Sequence, residues 1–205
     1  GDVIRWMTDQ RGLSFMDAVK ELAAEAGIEV PRADPREAQR AEQRAGLHDV
    51  MHAAQEWFVA QLATPAGAAA RAYLQQRGFN QRTIERFGFG YAPDDRTALK
   101  SALARFEEPM LIEAGLLIKV DDPGSQSGAG KPSYDRFRGR LMLPIQDARE
   151  RVIAFGGRVL ESRDGVAKYL NSPDTPLFDK GRTLYNLHRA GPASRRTNRA
   201  VVVEG

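Results

Sequence analysis

Two short apolar segments, Leu141–Ile145 and Val152–Phe155, flank a polar turn at Asp147–Arg151. Runs of this length on either side of a tight polar break predict two antiparallel strands joined as a hairpin. The hairpin lies in a longer stretch, Tyr134 to Leu187, that mixes basic, aromatic and glycine residues. Arg136, Arg138, Arg140, Arg158, Lys168, Lys180 and Arg182 alternate there with Tyr134, Phe137, Tyr169 and Tyr185. Cations bind phosphates and aromatic rings stack on bases, so this mixture suits single-stranded nucleic acid.

The overall charge of +3 conceals an asymmetry. Lys131 to Arg199 holds 15 Lys and Arg against 7 Asp and Glu, a net +8, while the other residues hold 15 against 20, a net −5. The excess of positive charge therefore coincides with the strands. It reads either as a solvated basic surface or as a groove that tracks phosphates, and the interleaved rings and glycines favour the groove. With 205 residues, 42% of them hydrophobic, the chain is long enough for one sizeable core and a helical appendage. No apolar run approaches the roughly 20 residues that cross a bilayer, and no signal-peptide pattern opens the sequence. The absence of cysteine excludes disulfides and a cysteine zinc site within these residues.

Before the strands the pattern is helical. Residues 1–10 and 14–27 predict two short helices, the second capped by Ser14, with Asp17 at its third position and Gly27 as its stop. Phe15, Ala18, Val19, Leu22 and Ala26 follow helical spacing, a packing face. A longer helix is expected from Pro35 to about Leu62. Its first half is polar, and its second half, with Val50, Met51, Trp57, Phe58 and Leu62, can dock on a core. Thr64-Pro65 reads as a cap and first turn, with Gly78 as the stop. Asn80 caps a helix over 81–87 that ends at Gly88. Two more short helices are expected over 97–106 and 109–114.

Several motifs are weighed and set aside. His48 and His52 stand one helical turn apart, as in a zinc pair, but Asp49 replaces the expected glutamate and no third ligand is near in sequence; two exposed histidines on a linker helix fit better. Gly128-Ala129-Gly130-Lys131 has part of a phosphate loop, yet Ser125 and Pro132 stand where glycine and Ser/Thr are needed, which leaves a flexible loop. Gly156-Gly157 inside a strand marks a bulge or a close approach, and the cation at Arg158 favours nucleic acid as what approaches. Asn171-Ser172-Pro173 reads as a turn. A short apolar strand, Ala200–Val203, leads to Glu204, where an α/β sheet places its chemistry, although many strands end in an acid.

The words RFRGR, GGRV, KYLNSP and KGRTLYNL occur in this order between Arg136 and Leu187. As a series they closely resemble the RNA-polymerase core of bacterial DnaG-type DNA primases. Residues Gly1 to Pro31 are similar to the sequence after the last zinc cysteine of that family's zinc ribbon. Tyr73 to Asp95 resembles the beginning of the polymerase core, and VVVEG at 201–205 resembles the first strand and glutamate of the Toprim fold. Residues 33–65 and 121–132 match weakly. Glu150 departs from the family, which usually has glycine at that place in the hairpin turn.

The resemblance implies an α+β fold: a helical amino-terminal part, then a strand-rich basic subdomain, ending at the first strand of a Toprim α/β fold. It divides the chain into a zinc-ribbon remnant (1–31), a helical linker (32–64), the amino-terminal subdomain of the polymerase core (65–198) and the start of Toprim (199–205). It carries Arg77, Arg158, Lys168, Tyr169 and Lys180 onto groove residues for template and nucleotide. It carries Glu204 onto the Toprim glutamate that stands beside magnesium-binding acids. The implied enzyme is cytoplasmic and makes short RNA primers on single-stranded DNA from ribonucleoside triphosphates. It uses Mg2+ or Mn2+ at the Toprim site and Zn2+ in the ribbon, and it meets the replicative helicase through a carboxy-terminal domain. The later Toprim acids, the zinc cysteines and the helicase-binding region have no counterpart in these residues, so this chain is expected to bind nucleic acid without completing the reaction alone. Two other readings fit the residues: a non-catalytic single-stranded nucleic-acid-binding module, and a fragment of a Toprim nuclease or topoisomerase.

Overall fold

A computed structural model describes residues 3–27, 35–120, 131–161 and 165–203. The glycine-rich segment at 121–130 and Glu204 lie outside the described residues, and with them the phosphate-loop and catalytic readings made above. The chain divides into two compact units, residues 1–41 and 42–205.

The first unit contains α1 (Val3–Arg11), α2 (Phe15–Glu25) and the beginning of α3 (Pro35–Ala63). Ser14 starts α2 as expected: its Oγ accepts the Asp17 amide at 3.2 Å and donates to the Asp17 carboxylate at 2.6 Å. That exchange satisfies an amide the first helical turn would otherwise leave open. The expected packing face holds only in part. Ala18 is fully buried, but Phe15 is 62% exposed, because spacing sets the stripe and the neighbouring element decides how much of it is covered.

The second unit begins with the apolar part of α3. Leu47, Val50, Met51, Ala54, Phe58 and Leu62 are all buried. A 3-10 turn (Pro65–Gly67), α4 (Ala68–Gln76) and α5 (Gln81–Phe87) follow, then β1 (Gly90–Ala92), α6 (Ala98–Ala102) and α7 (Glu108–Glu113). Next come β2 (Leu117–Val120), β3 (Lys131–Asp135), β4 (Arg140–Gln146), β5 (Val152–Val159), β6 (Tyr169–Asn171) and α8 (Leu187–Thr197). The ends of α5 are those read from sequence. Asn80 Oδ1 accepts the Thr83 amide at 2.8 Å, and Gly88 closes the helix with φ +62°. Thr64 does not cap by its side chain; its Oγ1 donates back to the Gln61 carbonyl, so the chain leaves α3 through a single 3-10 turn.

The expected hairpin is the centre of the main sheet. β4 and β5 pair antiparallel, β1 joins on the β4 side and β6 on the β5 side, giving the order β1-β4-β5-β6. β2 and β3 form a separate antiparallel pair. Phe58 of α3, Phe137 and Phe155 of β5 meet edge to face, with ring centroids 5.1–6.4 Å apart. Such contacts add about 0.5–1.5 kcal/mol each beyond area burial. The helix lies so close to β1 that a Cβ at Gly90 would stand 2.6 Å from Phe58 Cβ.

Three expectations need correction. The ladder shows no bulge at Gly156-Gly157; its register shift lies between Ile145 and Gln146. A Cβ on Gly157 would stand 3.0 Å from both Phe137 and Arg140, so protein, not nucleic acid, occupies the space that glycine leaves. Residues 201–203 form no strand, and Val201 is 88% exposed, since an apolar run becomes a strand only where another strand pairs with it. His48 is half-buried, with Nδ1 enclosed and unpaired, while His52 is exposed beside Glu56. Asn171 is the last residue of β6 and Ser172-Pro173 follow it; buried Ser172 Oγ accepts the Phe155 amide at 3.0 Å, locking the strand end.

Candidate nucleic-acid interface

The register of the sheet sets Tyr91, Leu141, Arg158 and Tyr169 in one row across its four strands. Residues directly opposite one another share a face, so Arg158 and Tyr169 lie side by side. The apolar end of the row is covered. Tyr91 and Leu141 pack with Ala70 and Leu74 of α4, with Tyr73 at the margin of that cluster. The other end of the row remains open, and Tyr169 is 56% exposed.

At this open end the cations converge on two rings. The Arg158 guanidinium carbon stands 4.4 Å from the Tyr73 ring centroid, and that of Arg77 stands 5.3 Å from the same ring. Arg158 also reaches within 5.9 Å of the Tyr169 ring, and Lys168 Nζ within 5.6 Å. Tyrosine faces carry negative potential, so they hold together cations that would otherwise repel one another. The phenol of Tyr169 reports the field. Its pKa is lowered, first by a hydrogen bond from Arg158, which burial opposes, and then by the charges of Lys168, Arg158 and Arg77.

Four of the five residues carried over from the resemblance therefore form one cluster. Lys180 stands apart from these ring contacts. It is exposed, in the turn after β6, with its backbone amide held by Asp174 at 2.8 Å. Tyr73 was missed in the sequence, and Arg140 was read there only as one of the cations suited to nucleic acid. Tyr73 sits four residues before Arg77, a spacing that aligns the two on a helix, but nothing in sequence pairs it with Arg158. Arg140 is buried, and its Nη1 donates to the carbonyls of Gly157 (3.3 Å) and Lys168 (3.5 Å). It thus ties β5 to the residue preceding β6. Burial and the nearby Arg138 lower its pKa.

The other arginines of the RFRGR word have different duties. Arg136 donates from Nε to the Gly115 carbonyl at 2.8 Å and is partly desolvated there. Arg138 and Arg96 lie 5.0 and 4.8 Å from the Tyr134 ring. A cavity of about 460 Å³ opens among Arg136, Arg138, Arg140, Tyr134, Asp94 and Glu161. Among the described residues no three His, Cys, Asp or Glu side chains gather where they could hold a metal ion. None of their helices is long and apolar enough to cross a membrane.

Helices on an antiparallel sheet, with cations and an open tyrosine gathered at one end, define an α+β domain of the kind that meets a polyanion. Residues 57–191 match the family described as DNA primase catalytic core, N-terminal domain, and the chain belongs to that family. A DNA primase of Pseudomonas putida is 40% identical over 210 residues, covering 100% of this chain and 30% of the relative. A DnaG primase catalytic domain bound to ssDNA superposes with a TM-score of 0.70 at 41% identity, over 80% of this chain and 49% of that one. The RNA polymerase domain of Mycobacterium tuberculosis primase DnaG, in complex with double-stranded DNA, gives 0.69 at 34% identity, over 79% and 49%. The chain thus spans about a third of the length of the curated relative and about half of the solved chains.

Proposed function

We propose that this chain is the template-holding part of a DNA primase, and that Arg77, Arg158, Lys168 and Tyr169 form its groove for single-stranded DNA. The observation that carries the reading is the convergence of three cations from distant parts of the sequence on Tyr73 and the open Tyr169 ring. Phosphates would lie along the cations while a base stacks on Tyr169. The likeness to a primase domain bound to ssDNA supports the choice of ligand. Lys180 is assigned to the same path on resemblance alone, as the cation that meets the strand beyond β6.

The whole enzyme would join ribonucleoside triphosphates into short primers on that template in the cytoplasm. Glu204 is assigned, again by resemblance, to the Toprim end, where Mg2+ or Mn2+ would offset charge on the transferring phosphate when bound. Zinc in the ribbon and contact with the replicative helicase belong to the same proposal.

The test is fluorescence anisotropy of a short labelled single-stranded oligonucleotide over a salt series. Four phosphate contacts give a slope of log affinity against log salt near −3, from about −0.7 per contact. Changing Arg77, Arg158, Lys168 or Lys180 singly to Ala should flatten the slope by roughly 0.7. Tyr169→Ala should weaken binding by about 1–3 kcal/mol and leave the slope unchanged. Equal small losses at these sites and at the control Arg40 would mean diffuse surface charge and overturn the groove.

A further inference from the structure

We propose that Tyr73 is a positioning residue, whose ring holds the Arg77 and Arg158 guanidiniums as one phosphate-facing surface before any nucleic acid arrives. The inference rests on the groove reading above and concerns how that groove is kept open for its ligand. Two guanidiniums brought together without a counter-charge repel each other, and each long side chain loses rotamer freedom when it is held in place. Among the described residues neither Arg77 nor Arg158 is paired with a carboxylate. What they share is the Tyr73 ring, at 5.3 and 4.4 Å.

The ring is a firm support. Tyr73 is half-buried against the cluster of Leu62, Ala70, Leu74, Phe89, Tyr91 and Leu141. Its helix α4 is tied to the end of α3, because Arg71 donates to the carbonyls of both Leu62 and Thr64. Arg158 is steadied from the other side, since its Nη1 donates to the Val159 carbonyl at 2.9 Å. Arg77 follows α4 immediately, and its amide bonds back to the Tyr73 carbonyl at 3.1 Å. One ring thus couples the end of a helix to the third strand of the sheet. A groove organised in this way has less side-chain ordering left to do when a phosphate binds, which raises affinity.

The experiment measures binding of a labelled single-stranded oligonucleotide to the 205-residue chain across a salt series. Tyr73→Phe keeps the ring and should bind like the wild type. Tyr73→Leu keeps a smaller apolar side chain against the same cluster but removes the ring's negative face. It should weaken binding roughly fivefold and flatten the salt slope by about 0.7, as one phosphate contact is lost. In an Arg77→Ala/Arg158→Ala background Tyr73→Leu should add no further loss. A full additional loss in that background, or a Tyr73→Phe as weak as Tyr73→Leu, overturns the positioning role while leaving the groove intact. Arg77→Ala and Arg158→Ala that change neither affinity nor slope overturn the groove reading itself. Nuclear magnetic resonance of the unmodified chain gives a check that does not depend on a variant folding. Ring current from Tyr73 should move the Arg158 side-chain protons upfield, and random-coil positions for them would overturn the inference.

Discussion

Glu150 sits at φ +63°, in the left-handed region, within the turn that joins β4 to β5. The turn is organised by Asp147, whose Oδ1 accepts the amides of Arg149 and Arg151 and whose Oδ2 accepts two guanidinium donors of Arg151. A side chain in the left-handed region costs about 1–2 kcal/mol. Glycine at the same place avoids that cost but carries about 0.4–1 kcal/mol more unfolded-chain entropy. Glu150→Gly should therefore stabilise the chain by roughly 0.5–1 kcal/mol, read as a higher urea midpoint at unchanged m-value. Glu150→Val, β-branched at a positive φ, should move the midpoint the other way. The departure from glycine was visible in the sequence, but its consequence was not, since the backbone angle follows from the geometry that Asp147 imposes.

Among the elements, α6 depends on a residue far from it in sequence. The buried Asp135 carboxylate, at the end of β3, accepts the amides of Leu99 at 2.7 Å and Lys100 at 3.0 Å. Burial pushes its pKa up, and those two amides pull against the shift. Lys100 adds a salt bridge to Glu108 on α7 and a hydrogen bond to Ser133 on β3, so α6, α7 and β3 are linked through one helical turn. Asp135→Ala would leave two amides without their acceptor and should destabilise the chain by about 2–3 kcal/mol. Asp135→Asn, which keeps one acceptor oxygen, should lose less. Thermal unfolding of the two variants checks the order; an Ala variant as stable as the parent would show that water replaces the cap. The contrast with α5 is instructive. Both ends of α5 are capped by adjacent residues and were legible in the sequence, whereas α6, expected over 97–106, stops at Ala102 and is held by a cap 35 residues away.

At the scale of the molecule, α3 supplies the main wall of the core in the second unit, and His48 lies where that wall meets the β4–β5 turn. Burial lowers the His48 pKa, Arg151 lowers it further, and Asp147, the Val152 backbone and Asp49 partly oppose them. A base whose folded pKa lies below its unfolded value binds fewer protons in the native state. The stability it contributes is present above the ordinary histidine value of about 6.5 and is lost as pH falls from there through the lower folded value. The melting temperature should therefore decline below about pH 6.5, and His48→Gln should make that limb shallower. An unchanged limb would assign the acid sensitivity to other groups. The sequence alone determined the hairpin, the ends of α2 and α5, the docking half of α3 and the basic, aromatic character of the later strands. These depend on period, caps and composition, which act between near neighbours. Tertiary structure decided that Arg77 and Arg158 share the ring of Tyr73, that Arg140 and Phe137 fill the space over Gly157, and that Arg136 serves a backbone carbonyl. Those assignments depend on strand register and on which helix covers which face, and long-range contacts of that kind leave no periodic mark in a single chain.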